Sequence, residues 1–444
     1  MAEERLGVKK SGFTLIELMV AMVVGLTAIT SVYSLGSAMS KQFYEEQRTA
    51  SAQGTSRVAI MELRRDISRA GLFGSPNGSR EPTCDSTPPS LPLLGGSSGP
   101  MGAFQYYADE DQAVLDPQSA NTGVFADRLR ILTSLYLSDQ LLVHSAGNSG
   151  STIVLQSGNQ AYRRTFSWGQ TAGPFTSGSA PTYLTGDLDW DSAWGGQTAS
   201  WNGIGQKGAR AFQTGSVLHI ETPEGRHFFR SVFQKDGNTQ DEVRMQITPP
   251  LPLGTGCLPG AAEGATVSPL QWVEYAVVDP FDANQVGADF MDFSGMFYTD
   301  LSPSSPTFNI PDAGAGPFEA PNRVLVRRVL NSTTGNVLPS STQIVAEFVS
   351  NFQVSFLIDG GSGGPTASLT ATSDETTIND YPEQVRTVII DLGIRSPMED
   401  PAIPYSANTD AGTRFEVDDA QMGSARVRHM HIEVPVMNVA RRNL

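Results

Sequence analysis

Hydrophobic and polar positions divide this chain into two unlike parts. From Leu18 to Ser40 no side chain carries a charge, a run of 23 residues. As a helix, such a run crosses a hydrocarbon core about 30 Å thick. Helical period continues beyond it. Ile60, Leu63, Ile67 and Ala70 recur at spacings of three and four, which places them on one stripe. Glu62 with Arg65, and Asp66 with Arg69, are then expected as i,i+3 pairs on the solvated side. Gly71 is placed to cap the helix, and Gly25 and Gly54 are points where it could bend, each costing about 1 kcal/mol relative to Ala.

After Gly71 the period changes. Residues 71–102 are turn material, rich in Pro and Gly. Strands are predicted at Arg128 to Thr133, Ser216 to Glu221, Arg226 to Gln234, Gln271 to Val278 and Arg323 to Leu330, each bounded by Gly, Pro, Asn or Asp. Three later segments alternate more cleanly. In "NFQVSFLI" Phe352, Val354, Phe356 and Ile358 share a face, and in "VRTVIIDLGIR" Val388, Ile390, Leu392 and Ile394 do so. The last, "ARVRHMHIEV", directs Met430, Ile432 and Val434 inward and Val427, His429, His431 and Glu433 outward. Half-buried antiparallel strands follow from this period. Gly169 to Gly215, with Trp190, Trp194 and Trp201, and Thr299 to Pro321 read as insertions forming surface loops. The tryptophans suit either a small satellite cluster or contact with a partner. The expected class is α+β: a long helix, then an antiparallel β head.

Composition narrows the partners. The chain has 444 residues, enough for two lobes or one embellished domain, and a formal charge of −16. That charge repels phosphate backbones and argues against nucleic acid. With only Cys84 and Cys257, a cysteine-rich zinc module is excluded. The two could form a disulfide in an oxidising compartment.

Candidate chemistry is sparse. "GGSGG", centred on Ser362, matches the nucleophile-elbow pattern, but Pro365 follows where a helix should begin, and a hairpin turn fits better. His429, His431 and Glu433 share a strand face at a spacing that could ligate a metal, yet no second histidine cluster completes a zinc site. Asp187, Asp189 and Asp191 could bind calcium, although the glycine and distal glutamate of an EF-hand loop are missing. In each case solvated residues are the simpler reading. No cofactor fingerprint and no catalytic constellation is evident, so an enzyme is not expected.

The amino terminus carries the most specific pattern. Arg5, Lys9 and Lys10 precede the apolar run, so positive-inside bias keeps the first dozen residues cytoplasmic and exports the rest. A secretory signal, with small residues at Gly36 to Ala38, or a plain anchor would explain the run. Neither explains Glu17, since an ionised group costs roughly 2.5 kcal/mol or more near the bilayer centre. The stretch "KKSGFTLIELMV" resembles the class III signal of type IV pilins and of their type II secretion relatives. That resemblance implies cleavage after Gly12 by a prepilin peptidase, N-methylation of the new terminus at Phe13, and a register role for Glu17. The freed amine of Phe13 and the Glu17 carboxylate of a neighbouring subunit would neutralise each other in low dielectric.

Further on, "LRRDISRAGLFG" (Leu63 to Gly74) resembles the segment closing the long helix in PilW-type minor pilins, where a cysteine often follows; this chain has Ser75, with Cys84 later. "WVEYAVVDP", "RVLVRRVL", "IVAEFVSNFQVSFLID", "VRTVIIDLGIRSP" and "VMNVARRN" resemble that family's strand order, also found in J-type minor pseudopilins. The implied organisation is a leader over 1–12, a transmembrane and filament-core helix over 13–40, an extracytoplasmic amphipathic helix over 41–71, and a type IV pilin head over 72–444 with insertions near 169–215 and 299–321. The implied function is a minor pilin that primes type IV pilus assembly and lies at the filament tip. A minor pseudopilin of type II secretion and a tip adhesin are the alternatives. Implied partners are other minor pilins, the major pilin, the prepilin peptidase and the inner-membrane assembly platform. The head would occupy the periplasm and then the extracellular pilus.

Overall fold

The computed structural model describes residues 14–78, 101–110, 124–135, 139–156, 212, 215–239, 242–253, 262–278, 323–332, 334–338, 341–359, 369–396, 404–406, 409, 412–416 and 423–440. The chain divides into two compact units, Met1–Gly54 and Thr55–Leu444. An apolar amino-terminal helix is followed by a mostly antiparallel β domain.

Helix α1 (Leu15–Ile67) runs without interruption through Gly25, Gly36 and Gly54. Its segment Leu15–Gly36 is long and apolar enough to cross a membrane. Hydroxyls in that segment fold back on the helix: Thr30 donates to the Leu26 carbonyl and Ser31 to that of Thr27, each at 2.8 Å. Their polarity is thus satisfied locally, as hydrocarbon requires.

In the second unit the buried stripe of α1 is Ser56, Ala59, Leu63, Asp66 and Ile67, with Ile60 half-buried, and Ala70 continues it in the turn that follows. Glu62 pairs with Arg65 at 2.9 Å as its spacing predicts. Asp66 does not stay on the solvated side. Positions 56, 59, 63, 66 and 70 step by three and four, and that periodicity carries Asp66 into the core. The chain leaves the helix through Gly71, whose φ of 70° is the left-handed value of a cap. Gly71 N then donates to the Leu132 carbonyl at 2.9 Å, pinning the helix end to the sheet.

The first sheet has the order β1 (Phe104–Tyr107), β2 (Arg128–Thr133), β8 (Thr266–Val278), β9 (Val324–Leu330) and β10 (Gln343–Ala346), all antiparallel. Strand β8 continues into a second body. There, β3 (Leu141–Gly147), β4 (Thr152–Leu155), β7 (Glu242–Thr248), β6 (His227–Thr239) and β5 (Val217–Glu221) pair in that order, and both β3 and β5 pair with the first half of β8. The six strands therefore close into a small antiparallel barrel. Leu141, Ile153, Leu218, Phe228, Met245 and Val267, one from each strand, meet in its core. Closing so few strands needs strong coiling, and bulges between Val143 and Ser145 and between Val232 and Gln234 supply it.

This barrel departs from the sequence reading in several places. β3, β4 and β7 are not predicted, and neither are the short strands β1 and β10. β8 begins five residues earlier than its periodicity suggests. Phe212, assigned above to a surface insertion, is buried in the barrel core. The remainder of 169–215 apart from Gly215, and all of 299–321, lie outside the described residues.

The second sheet has the order β12 (Leu369–Thr372), β11 (Val349–Asp359), β13 (Val385–Arg395), β15 (Ala425–Pro435), β14 (Arg414–Phe415). Phe352, Val354, Phe356, Val388, Ile390, Leu392 and Ile394 are buried on one face as the alternation predicts, and Ile358 is only half-buried. Phe356 meets Phe104 and Tyr106 edge-on, at 6.0 and 5.2 Å between centroids, which joins the two sheets. The buried Asp127 strengthens that joint by accepting from Tyr106 Oη at 3.0 Å and from Val354 N at 2.6 Å. On β15, Val434 is buried and His429, His431 and Glu433 are exposed, as expected. Val427 is the correction: it lies on the outward face yet is buried, in register with the buried Arg395 of β13 on one side and beside β14 on the other, where Thr413 O accepts from its amide at 2.9 Å.

Helix α2 (Glu375–Asp380) lies along β1. Its Asn379 side chain donates to Tyr106 O at 2.9 Å and accepts from Tyr106 N at 2.7 Å. The amide acts as one rung of a missing neighbouring strand and blunts the open edge.

Candidate functional site

At the head of α1, Thr14 and Glu17 bond reciprocally. Thr14 N and Thr14 Oγ1 both donate to Glu17 Oε2 at 2.9 Å, and Glu17 N donates to Thr14 Oγ1 at 3.3 Å. This is a capping box, with the N-cap hydroxyl and the carboxylate three residues on satisfying each other's orphan amides. Its signal, T-x-x-E, stands in the sequence as "TLIE". Glu17 thus has a local role, holding the helix start, beside any intersubunit one. Gly12 and Phe13 lie outside the described residues. From Leu15 through Met39 the large apolar side chains are exposed in the isolated chain.

Two buried carboxylates hold the second unit together. Asp66 accepts from Arg327 Nε at 2.5 Å and from Tyr275 Oη at 2.9 Å. Burial, then the Asp66 charge, push the Tyr275 hydroxyl well above its ordinary pKa. Glu274 sits between Arg130 Nε and Arg328 Nε, each at 2.6 Å. Burial alone would raise the pKa of Glu274, but Arg328 and Arg130 outweigh it and hold the carboxyl below its usual range. Both clusters are spent on internal partners and offer nothing to a substrate.

A polar row crosses the open face of the second sheet. Phe125 N donates to Asn351 Oδ1 at 2.8 Å, and Asn351 Nδ2 donates to Asp391 Oδ1 at 3.2 Å. His429 Nδ1 lies 2.6 Å from that same oxygen, and its Nε2 lies 2.6 Å from the Gly412 carbonyl. Gly393 makes the row possible: a Cβ there would lie 2.9 Å from Asn351 Cβ and 3.1 Å from His429 Cε1. The bond to Asp391 raises the His429 pKa, and the same bond lowers that of Asp391. An aspartate, a histidine and the nearby Ser350 suggest a triad only superficially. His429 Nε2 faces a carbonyl, and the Ser350 hydroxyl is buried without a hydrogen-bond partner.

The two histidines considered above as metal ligands differ in their surroundings. Both nitrogens of His429 are engaged, and His431 Nε2 is 3.9 Å from Glu433. Among the described residues no group of three or more His, Cys, Asp or Glu is arranged to hold a metal ion. Asp187, Asp189, Asp191, Ser362, Cys84, Cys257 and the tryptophans Trp190, Trp194 and Trp201 lie outside the described residues. The buried pair His219 and His227, with Nε2 and Nδ1 2.8 Å apart, has no motif to mark it in the sequence; it links the barrel to the Phe73 carbonyl, 2.8 Å from His219 Nδ1.

Residues 8–33 match the prokaryotic N-terminal methylation motif. The chain thus carries the amino-terminal signature of type IV pilin-like and pseudopilin-like proteins, joined to a helix fit for membrane anchoring. No curated protein and no solved structure matches the chain.

Proposed function

We propose that the chain is a minor pilin that primes type IV pilus assembly and comes to rest at the filament tip. The observation that carries this reading is the methylation motif at 8–33, continuous with the exposed apolar helix Leu15–Gly36. On this reading a prepilin peptidase cuts between Gly12 and Phe13 and methylates Phe13. The Glu17 carboxylate, held by Thr14 in the free subunit, then meets the Phe13 amine of a neighbour and sets the register. Other minor pilins, the major pilin and the inner-membrane assembly platform are the partners, and the head waits in the periplasm before export.

The elaborated head supports a rare subunit. A barrel inserted between β2 and the second half of β8 makes a bulky tile for a shaft but places no burden on a tip. Mass spectrometry of the mature amino terminus, with piliation and protein secretion assayed in a null strain, tests the proposal. A methylated Phe13 terminus and lost pili are expected. Intact pili with lost secretion would assign the chain to a pseudopilus, and a terminus elsewhere would overturn both.

A further inference from the structure

We propose that the exposed face of α1 in the second unit is a docking surface for an acidic face on a different subunit of the same filament. Arg57, Val58, Met61, Arg64 and Arg65 fall within about 120° of arc at about 100° per residue, opposite the stripe that enters the core. Arg69 is exposed in the turn that follows. Val58 and Met61 are 57% and 64% exposed, so two apolar side chains stand among four guanidiniums. The acids of this segment are engaged elsewhere. Glu62 accepts from Arg65 at 2.9 Å and from Gln343 Nε2 at 3.3 Å, and Asp66 is buried against Arg327 and Tyr275. Among the described residues, Arg57, Arg64 and Arg69 have no carboxylate partner.

An ordinary solvated face does not account for this set. Cations in the last turn complement the helix dipole, which explains Arg64 and Arg65. It does not explain Arg57, well before that turn, or two large apolar side chains left in water beside it. The face is also unlike the rest of the chain. With 46 acidic against 30 basic residues the chain is strongly acidic, whereas this arc holds cations and no anion. Arginine and methionine are enriched at protein interfaces and lysine is depleted there; residues 55–70 contain no lysine.

Charge complementarity selects the occupant. It presents carboxylates to Arg57 and Arg64, about 10 Å apart along the helix, and an apolar spot to Met61 between them. A lipid surface fits poorly. A helix that lies in a membrane interface sinks its apolar face into the lipid, and that face of α1 is already buried in the head at Leu63 and Ile67. A second copy fits no better. An isologous contact would set arginine against arginine, and a head-to-tail contact would propagate along a shaft, which a tip subunit does not do. That last step, and the choice of a filament subunit as partner, rest on the function proposed above.

Photocross-linking in cells tests the contact. The full-length chain, with photoreactive benzoylphenylalanine in place of Met61, is expressed in the null strain and its adducts are identified by mass spectrometry. A different filament subunit, joined within an acidic segment, is the expected product. Its yield should fall about tenfold when Arg57→Glu and Arg64→Glu are combined, and persist with Arg57→Lys and Arg64→Lys. Protease resistance of the head in each variant reports folding, and the identity of the adduct is a readout that needs no variant. Adducts with lipid alone, with a second copy or with no subunit, or a yield indifferent to charge reversal, would each overturn the proposal. If the null strain keeps its pili and loses secretion, the function proposed above fails by itself, and the same adduct, now with a pseudopilus subunit, decides the docking surface.

Discussion

Asp66 Oδ2 and Arg327 Nε lie 2.5 Å apart, one at the end of α1 and the other in the middle of β9. The carboxylate is fully buried and the arginine side chain nearly so, so each is the other's main compensation for lost water. Arg327→Met should leave the buried Asp66 charge to the half-exposed Arg65, 3.3 Å away, and the Tyr275 hydroxyl, and cost about 3 kcal/mol of stability, whereas Asp66→Leu combined with Arg327→Met should recover much of the loss. Denaturant midpoints of the full chain measure both. A single substitution costing under about 1 kcal/mol would mean that water reaches the pair.

Asp66 also shows how far the sequence could be read. The helix and the faces of β11, β13 and β15 are legible because one side of each meets a core and the other does not. Asp66 misleads because charge is taken as a sign of solvent, although its spacing from Leu63 and Ala70 puts it in the stripe. The barrel is hidden for a different reason. Pro269 lies inside β8, and proline argues against a strand interior, so the half of β8 that closes the barrel is not recognised. β3 and β4 acquire their places from partners far along the chain, which local periodicity does not record. At the site, Glu17 stands out as an acid in an apolar run, but Asp391 and His429 are 38 positions apart and meet only through the β13 and β15 register.

Glu274 gives a test in pH. Its folded pKa is depressed, so the ionised triad with Arg130 and Arg328 stabilises the protein above the ordinary carboxylate value and fades as pH falls through the folded one. Glu274→Gln leaves two guanidiniums with a neutral partner and should cost about 3 kcal/mol at neutral pH. The gap between wild type and variant, read from urea midpoints, should stay level across neutral pH and close in acid. A gap of the same size at every pH would show that packing, not charge, is what the substitution removes.

The reciprocal bonds between Thr14 and Glu17 separate two reasons for an acid in an apolar helix. If Glu17 serves only a neighbour's amine, Thr14 is dispensable. If the capping box also fixes where that carboxylate points, removing the Thr14 hydroxyl should weaken assembly while leaving processing intact. Thr14→Ala should therefore give a normally cleaved subunit and fewer pili, and Thr14→Ser, which keeps the hydroxyl, should restore them. Glu17→Ala and Glu17→Val should be cleaved yet assemble worse than Thr14→Ala, because they lose both the local and the intersubunit bond. Mass spectrometry of the amino terminus reports processing, and electron microscopy of sheared filaments reports assembly. Wild-type piliation in Glu17→Ala would remove the register role, and wild-type piliation in Thr14→Ala alone would confine the capping box to folding.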